Sequence, residues 1–334
     1  MNTSMAGLLQ TFRRSAHTLA QRGAAFRLPE SLRSEAPLLR DLQVKPRIQA
    51  AVLDFSGTTV DAYVIAPAIA FVKAFAEHGI AITMEEARGP MGLHKHRHIE
   101  ALLRLDSVMK KWSEVHGHQP TQKDADQIFS DFVPLQLACL DQYSAVIPGV
   151  VDAVNLMRQD KVKIGATTGF VSSMVDVLVS AAKKQGLEFD CTVAGDEVQH
   201  GTRPSPHMLY RNMDLLGVHN PRFLVKVDDT ISGVGEGLHA GCWTVGVTDY
   251  SNYMNINSLQ QAANMSSAEL TYRRDISRQA LLASGAHYVI RSLHSLPAVI
   301  DNINQRLAQG EIPGTLPQPP LDGHVSELQR LGPR

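Results

Sequence analysis

Ala50-Ala51-Val52-Leu53-Asp54-Phe55-Ser56-Gly57-Thr58-Thr59-Val60-Asp61 opens as an apolar run, ends that run on a carboxylate and follows it with small, turn-prone residues. The pattern predicts a buried strand that delivers Asp54 to the carboxyl edge of a sheet, the edge at which open α/β sheets bind ligands. Gly57 allows the backbone to curl around a bound group, and the amides and hydroxyls of Ser56, Thr58 and Thr59 can face an anion. Taken alone, the stretch fits equally well a strand whose terminal Asp caps the next helix. The remainder of the chain decides between the two.

Downstream of this strand, residues 63–143 carry helical signals and no strand pattern. Ile69, Val72, Phe75 and Ala76 recur at helical spacing, and Thr83 with Glu86 can form a capping box. A further helix is expected from about Asp124 to Gln142, with Thr121 near its start. After Pro148-Gly149 the pattern alternates. Helices are expected at Val150–Gln159, Ser172–Gln185, Ser205–Leu216 and Ile231–His239, and strands at Lys163–Thr167, Cys191–Ala194, Phe223–Val227, Trp243–Val247 and His287–Ile290. Strands separated by helices imply βαβ units, hence an α/β fold with a doubly wound parallel sheet. The expected organisation is a core over 46–62 and 144–307, a helical cap inserted over 63–143, and a loose Pro/Gly-rich tail over 308–334.

A chain of 334 residues with 44% hydrophobic and 19% charged residues has the composition of a globular protein with a substantial core. A net charge of -1 argues against binding nucleic acid by bulk electrostatics, and no apolar run approaches the ~20 residues that span a bilayer. Cys139, Cys191 and Cys242 are widely spaced and give neither a disulfide framework nor a zinc signature. Residues 1–45 differ from the rest. Arg13, Arg14, Arg22 and Arg27 punctuate a Ser/Ala/Leu-rich stretch, no acid precedes Glu30, and Leu8, Leu9, Phe12 and Leu19 can form an apolar stripe. This is the composition of a transit peptide, and the expected location is the mitochondrial matrix, with the cytoplasm as the alternative.

Four expected strands end in residues suited to phosphoryl transfer: Asp54, then Thr167-Thr168-Gly169, then Arg203 after the third strand, then Asp228-Asp229. A phosphoryl group repels a carboxylate nucleophile unless a metal ion, a guanidinium and aligned donors offset the charge. In order and spacing these residues resemble the haloacid dehalogenase superfamily over nearly all of residues 46–307. The resemblance implies Asp54 as covalent nucleophile, Thr168 and Arg203 as phosphoryl-binding groups, and Asp228-Asp229 as Mg²⁺ ligands with Asp54 and the carbonyl of Ser56.

Two details narrow the branch. Phosphatases and sugar-phosphate mutases of that superfamily carry a second Asp two residues after the nucleophile; Ser56 stands there. The cap holds Met91-Gly92-Leu93-His94-Lys95-His96-Arg97-His98, and on a helix Met91, Lys95 and His98 would share a face. A lysine on such a face, turned into a closed site, can act as an amine nucleophile. With the first motif Asp54–Asp61, this cap motif resembles the phosphonoacetaldehyde hydrolase (phosphonatase) family. The resemblance implies Mg²⁺-dependent hydrolysis of the C–P bond of phosphonoacetaldehyde to acetaldehyde and phosphate, through a Lys95 Schiff base and an aspartyl phosphate on Asp54. His98 would carry protons near Lys95, and Ser56, Gly57, Thr58, Met91, Thr168, Gly169 and Arg203 would bind the small phosphonate. A homodimer through the cap is also implied.

The chain departs from that family's pattern at Phe170, where a Tyr is usual, at Val64, which replaces a Cys, and at Thr202, which looks inserted before Arg203. In the fourth motif the family's Gly-Asp-Thr-x-Ser-Asp becomes Asp228-Asp229-Thr230-Ile231-Ser232-Gly233. Two alternatives therefore stand beside the first reading: a hydrolase of another phosphonate or phosphate ester, and a non-catalytic descendant within a mitochondrial assembly.

Overall fold

The computed structural model describes residues 46–200 and 203–314. The import segment expected at 1–45, Thr202 and the tail beyond residue 314 lie outside the described residues.

The apolar run forms β1 (Ala50–Leu53), fully buried along its length. Five helices follow before residue 144: α1 (Ile65–Glu77), α2 (Met84–Arg88), α3 (Lys95–Leu103), α4 (Asp106–His116) and α5 (Gln122–Leu140). Their starts obey the local chemistry. Asp61 Oδ1 accepts from the amides of Ile65 and Ala66 at the head of α1, so an acid seven residues after Asp54 does the capping. Thr83 and Glu86 close the expected capping box on α2, and the Thr121 amide donates to Asp124 at the head of α5.

Regular alternation then begins: α6 (Val150–Gln159), β2 (Lys163–Thr167), α7 (Ser172–Lys184), β3 (Cys191–Val193), α8 (His207–Leu216), β4 (Leu224–Asp228), α9 (Ile231–Ala240), β5 (Trp243–Val247), α10 (Leu259–Asn264), α11 (Ser267–Ala283), β6 (Tyr288–Ile290) and α12 (Leu296–Ala308). The six strands form one parallel sheet in the order β3-β2-β1-β4-β5-β6. The doubly wound sheet expected from the alternation is therefore present. β4 runs one residue further than the periodicity predicts, because Asp228 still pairs with Gly246 of β5.

Alternation along β1 builds both faces. Ala51 and Leu53 pack with α6 and α12 residues such as Val154 and Ile303, whereas Ala50 and Val52 pack with Leu209 and Met213 of α8. The order of the sheet places β1 between β2 and β4, in register Leu53↔Ala166 and Leu53↔Val227. The residues that follow these three strands therefore emerge side by side at one edge.

The helices between β1 and β2 have their own apolar centre, in which Phe71 of α1 stacks on Phe132 of α5 with ring centroids 4.3 Å apart and on His98 of α3 at 3.9 Å. Truncating the ring removes both stacks and leaves a cavity among buried neighbours. Phe71→Ala is expected to cost about 3–5 kcal/mol in urea unfolding, with amide exchange rising in α1, α3 and α5 before the strands; exchange that rises equally in the sheet would contradict this placement.

Candidate active site

Asp54 stands one residue past β1, almost fully buried, with its amide donating to the Val227 carbonyl of β4. The turn behind it is held by its own backbone: the amides of Thr58, Thr59 and Val60 donate to the Phe55 carbonyl, and that of Gly57 to the carbonyls of Val60 and Asp61. The expectation that the Thr58 and Thr59 amides face an anion is thus corrected, since these donors are spent inside the turn. Gly57 has φ +81°, and a Cβ there would lie 2.5 Å from Asp229 Oδ2. Its role is close approach of backbone to the fourth motif.

Arg203 is the hub. Its Nη1 lies 2.8 Å from Asp54 Oδ1 and 3.3 Å from Asp228 Oδ2, its Nε 3.0 Å from Glu236 Oε2, and its Nη2 donates to Thr167 O and Oγ1. Lys226, wholly buried within β4, lies 3.0 Å from Asp228 Oδ2 and 3.3 Å from Glu236 Oε2, and donates to Thr167 Oγ1 at 2.7 Å. Asp229 sits opposite. Its Oδ2 accepts from the Asn252 amide at 2.7 Å, and its buried Oδ1 has no hydrogen-bond partner.

This charge distribution sets the protonation chemistry. Burial raises Asp54 to about 6, against the opposing pull of Arg203. Burial also drives Asp229 well above the carboxylate range, with repulsion from Asp228 and Asp54 adding to it. For Asp228 burial acts in the same sense, but Arg203 and Lys226 outweigh it and hold the group below its usual value. One oxygen each of Asp54, Asp228 and Asp229 can lie within 4.8 Å of the others. All-oxygen donors, excess negative charge and the orphaned Asp229 Oδ1 fit a hard divalent cation.

From above, the Met91–Lys95 segment descends on these strand ends. A Cβ on Gly92 (φ +92°) would meet Thr230 Oγ1 at 2.4 Å and Ser232 Oγ at 2.2 Å, and one on Gly169 would meet the Leu93 carbonyl at 2.4 Å. Only glycines permit this seating. Lys95 consequently lines the same cavity as Asp54, Ser56, Met91, Thr168 and Asp229, together with Gly169 and Arg203. Its Nζ lies 4.4 Å from the centroid of the Phe170 ring, and burial lowers its pKa to about 8 despite the pull of Asp54.

Three expectations need correction. Met91 is not on one helical face with Lys95 and His98: α3 starts at Lys95, and Met91 belongs to the preceding turn, where Gly92 breaks the helical path. Met91 reaches the cavity all the same. His98 does not line it; its Nε2 bonds the Ala87 carbonyl at 2.9 Å, its ring stacks on Phe71, and burial holds it well below the usual histidine value. It is a neutral packing residue one turn behind Lys95, not a group in contact with the cavity. Thr58 and Gly57 likewise do not line the cavity. Asp228 lies behind it, between the two buried cations. The sequence reading missed Lys226, Glu236 and Asn252; a lysine inside the apolar strand Leu224–Asp228 was the one visible signal.

Comparison with known proteins gives a consistent placement. The model for haloacid dehalogenase-like hydrolases matches residues 48–241. The phosphonoacetaldehyde hydrolase of Paraburkholderia xenovorans is 41% identical over 266 residues, 80% of this chain and 99% of that protein. That of Klebsiella pneumoniae is 44% identical over 268 residues, again 80% and 99%. Among solved structures, the phosphonoacetaldehyde hydrolase like protein from Oleispira antarctica matches with a TM-score of 0.78 at 36% identity, covering 80% of this chain and 97% of that one.

A carboxylate whose folded pKa is raised binds its proton more tightly in the folded state. Its ionisation therefore erodes stability as pH rises from the unfolded value towards the folded one, and the loss is complete above it. For Asp54 that window runs from 3.8 to about 6, and Asp229 extends it upward. In metal-free buffer Tm is expected to be lower at pH 8 than at pH 5, with Asp229→Asn removing much of the difference. Equal pH dependence in parent and variant would show that Asp229 carries no such strain.

Proposed function

The chain belongs to the phosphonoacetaldehyde hydrolase family of the haloacid dehalogenase-like hydrolases, and from that premise we propose that it hydrolyses the C–P bond of phosphonoacetaldehyde through an imine on Lys95 and an aspartyl phosphate on Asp54. The observation that carries the proposal is the placement of a buried amine with a pKa of about 8 in the cavity lined by the Asp54 carboxylate. A phosphatase needs the carboxylate but no amine that can be deprotonated to attack a carbonyl.

The chemistry follows from the leaving group. Expelling a bare carbanion from phosphorus is too costly, whereas a protonated imine is an electron sink. The neutral Lys95 amine condenses with the aldehyde, takes up a proton and releases water to give the protonated imine. Asp54 then attacks phosphorus, a P–O bond forms as the C–P bond breaks, and the electron pair moves into the enamine. Water hydrolyses the aspartyl phosphate to phosphate; the enamine regains a proton on carbon and hydrolyses to acetaldehyde and free Lys95. Carbon departs, so no general acid is needed where Ser56 stands. Arg203 and Thr168 offset and orient the phosphoryl oxygens. Asp54 and Asp229, with the Ser56 carbonyl, would hold Mg²⁺, which supplies charge neutralisation at the transferring group. Burial of Lys95 at the end of the Met91–Lys95 segment raises the neutral fraction of the amine over that of an exposed lysine.

We place residues 1–45 as an import segment for the mitochondrial matrix, on their arginine-rich, acid-poor composition. A fluorescent fusion of residues 1–45 is expected to enter mitochondria, and a fusion that stays diffuse would overturn this.

Borohydride added with phosphonoacetaldehyde is expected to inactivate the protein irreversibly and to leave an adduct on Lys95 by mass spectrometry. Lys95→Arg, whose guanidinium stays protonated, is expected to lose C–P cleavage while keeping its fold. Because imine formation needs the neutral amine, kcat/KM should rise as pH climbs through about 8. Undiminished cleavage by Lys95→Arg would sink the imine mechanism.

A further inference from the structure

Asp228 and Gly233 sit five residues apart, at the end of β4 and in the first turn of α9. Set beside the family's Gly-Asp-Thr-x-Ser-Asp, the first and last positions of the motif have exchanged acid and glycine. Two separate changes would be unremarkable; the geometry ties them together. A Cβ built on Gly233 would lie 1.9 Å from both Cγ and Oδ2 of Asp228 and 2.3 Å from Oδ1. No rotation of a side chain at 233 avoids this, because Cβ is fixed by the backbone. The two positions share one volume, which holds a single side chain.

We infer that Asp228 and Gly233 are one exchanged pair: Asp228 supplies from the strand the carboxylate that the family's motif supplies from the helix, and acts there as the positioning residue for Arg203 and Lys226. Its contacts define that role. Oδ1 accepts from the amide and the hydroxyl of Thr230, at 2.9 and 2.7 Å, which fixes the carboxylate against the head of α9. Oδ2 lies 3.0 Å from Lys226 Nζ and 3.3 Å from Arg203 Nη1. Arg203 Nη1 in turn reaches Asp54 at 2.8 Å. Asp228 thus shares Arg203 Nη1 with the nucleophile and anchors the guanidinium beside it. Without an acid in this volume, Arg203 and Lys226 would retain only Asp54 and Glu236 as buried counter-charges, and Asp54 would be drawn more tightly to the arginine and away from a cation.

The pairing predicts a reversal of sign. Gly233 has no positive φ, so in open space alanine would stabilise this helical position. Here Gly233→Ala is expected to lower Tm in the parent and to raise it in the Asp228→Gly background, measured by thermal unfolding of metal-free protein. The role of the carboxylate, which rests on the Mg²⁺ part of the proposed function, is read separately by calorimetric titration with Mg²⁺. Asp228→Gly is expected to weaken binding at least tenfold, and the double exchange Asp228→Gly/Gly233→Asp to recover it to within about threefold of the parent. If Asp228→Gly alone fails to fold, the double exchange is expected to fold. An alanine effect of the same sign in both backgrounds, a double exchange that binds Mg²⁺ no better than Asp228→Gly, or failure of both to fold would each overturn the pairing. A parent that binds no Mg²⁺ would overturn the metal reading, and the sign reversal would then decide the pairing by itself.

Discussion

Buried charge at the end of three adjacent strands is the constraint on which the site depends. Asp54, Asp228, Asp229 and Glu236 lie in one interior region with Arg203 and Lys226. Each ionised carboxylate removed from water costs several kcal/mol unless opposite charge and hydrogen bonds replace the solvent. Arg203 and Lys226 meet that requirement for Asp228, which stays below its usual pKa, and leave Asp54 and Asp229 raised. The uncompensated negative charge falls on the cavity side, where Asp229 Oδ1 has no partner. The sheet order makes this inevitable: with β2, β1 and β4 side by side, Thr167, Asp54 and Asp228 cannot avoid one another.

Closing the region from above is a matter of backbone approach. Gly92 lies against Thr230 and Ser232, and Gly169 against the Leu93 carbonyl, with Lys95 N donating to the Gly169 carbonyl at 3.3 Å. These contacts bring α3 down so that its first residue, not a later one, enters the cavity. The same geometry separates the two basic residues of the motif. Lys95 faces the acids, and His98, three residues on, turns into the aromatic centre formed by Phe71 and Phe132.

The sheet was legible in the sequence because each buried strand is a short apolar run bounded by turn chemistry. Val150–Gln159, Lys163–Thr167 and Trp243–Val247 fall where the pattern places them. The acids at strand ends were legible for the same reason: a charge closing an apolar run has few alternatives to the sheet edge. What failed was local periodicity carried across a glycine. Spacing of four and seven put Met91 and His98 on a face with Lys95, but Gly92 at φ +92° cannot continue a helix. Lys226 and Glu236 were hidden for a different reason. A strand lysine and a helix glutamate are ordinary in isolation, and only their meeting with Arg203 and Thr167 gives them a role.

Phe170 shows how the departures from the family pattern bear on the chemistry. Its ring lies 4.4 Å from Lys95 Nζ, and an aromatic face favours the ammonium by about 0.5–2 kcal/mol. Burial works the other way. Lowering the amine from 10.5 to about 8 is worth roughly 3 kcal/mol in favour of the neutral form. Burial therefore wins, and the ring serves to seat the side chain and not to hold its charge. Unlike a tyrosine, Phe170 offers the amine no hydroxyl to bond. Lys95 shares its cavity with Asp54, Ser56, Thr168, Arg203 and Asp229, so the polar neighbours of the amine come from the strand ends and not from the ring.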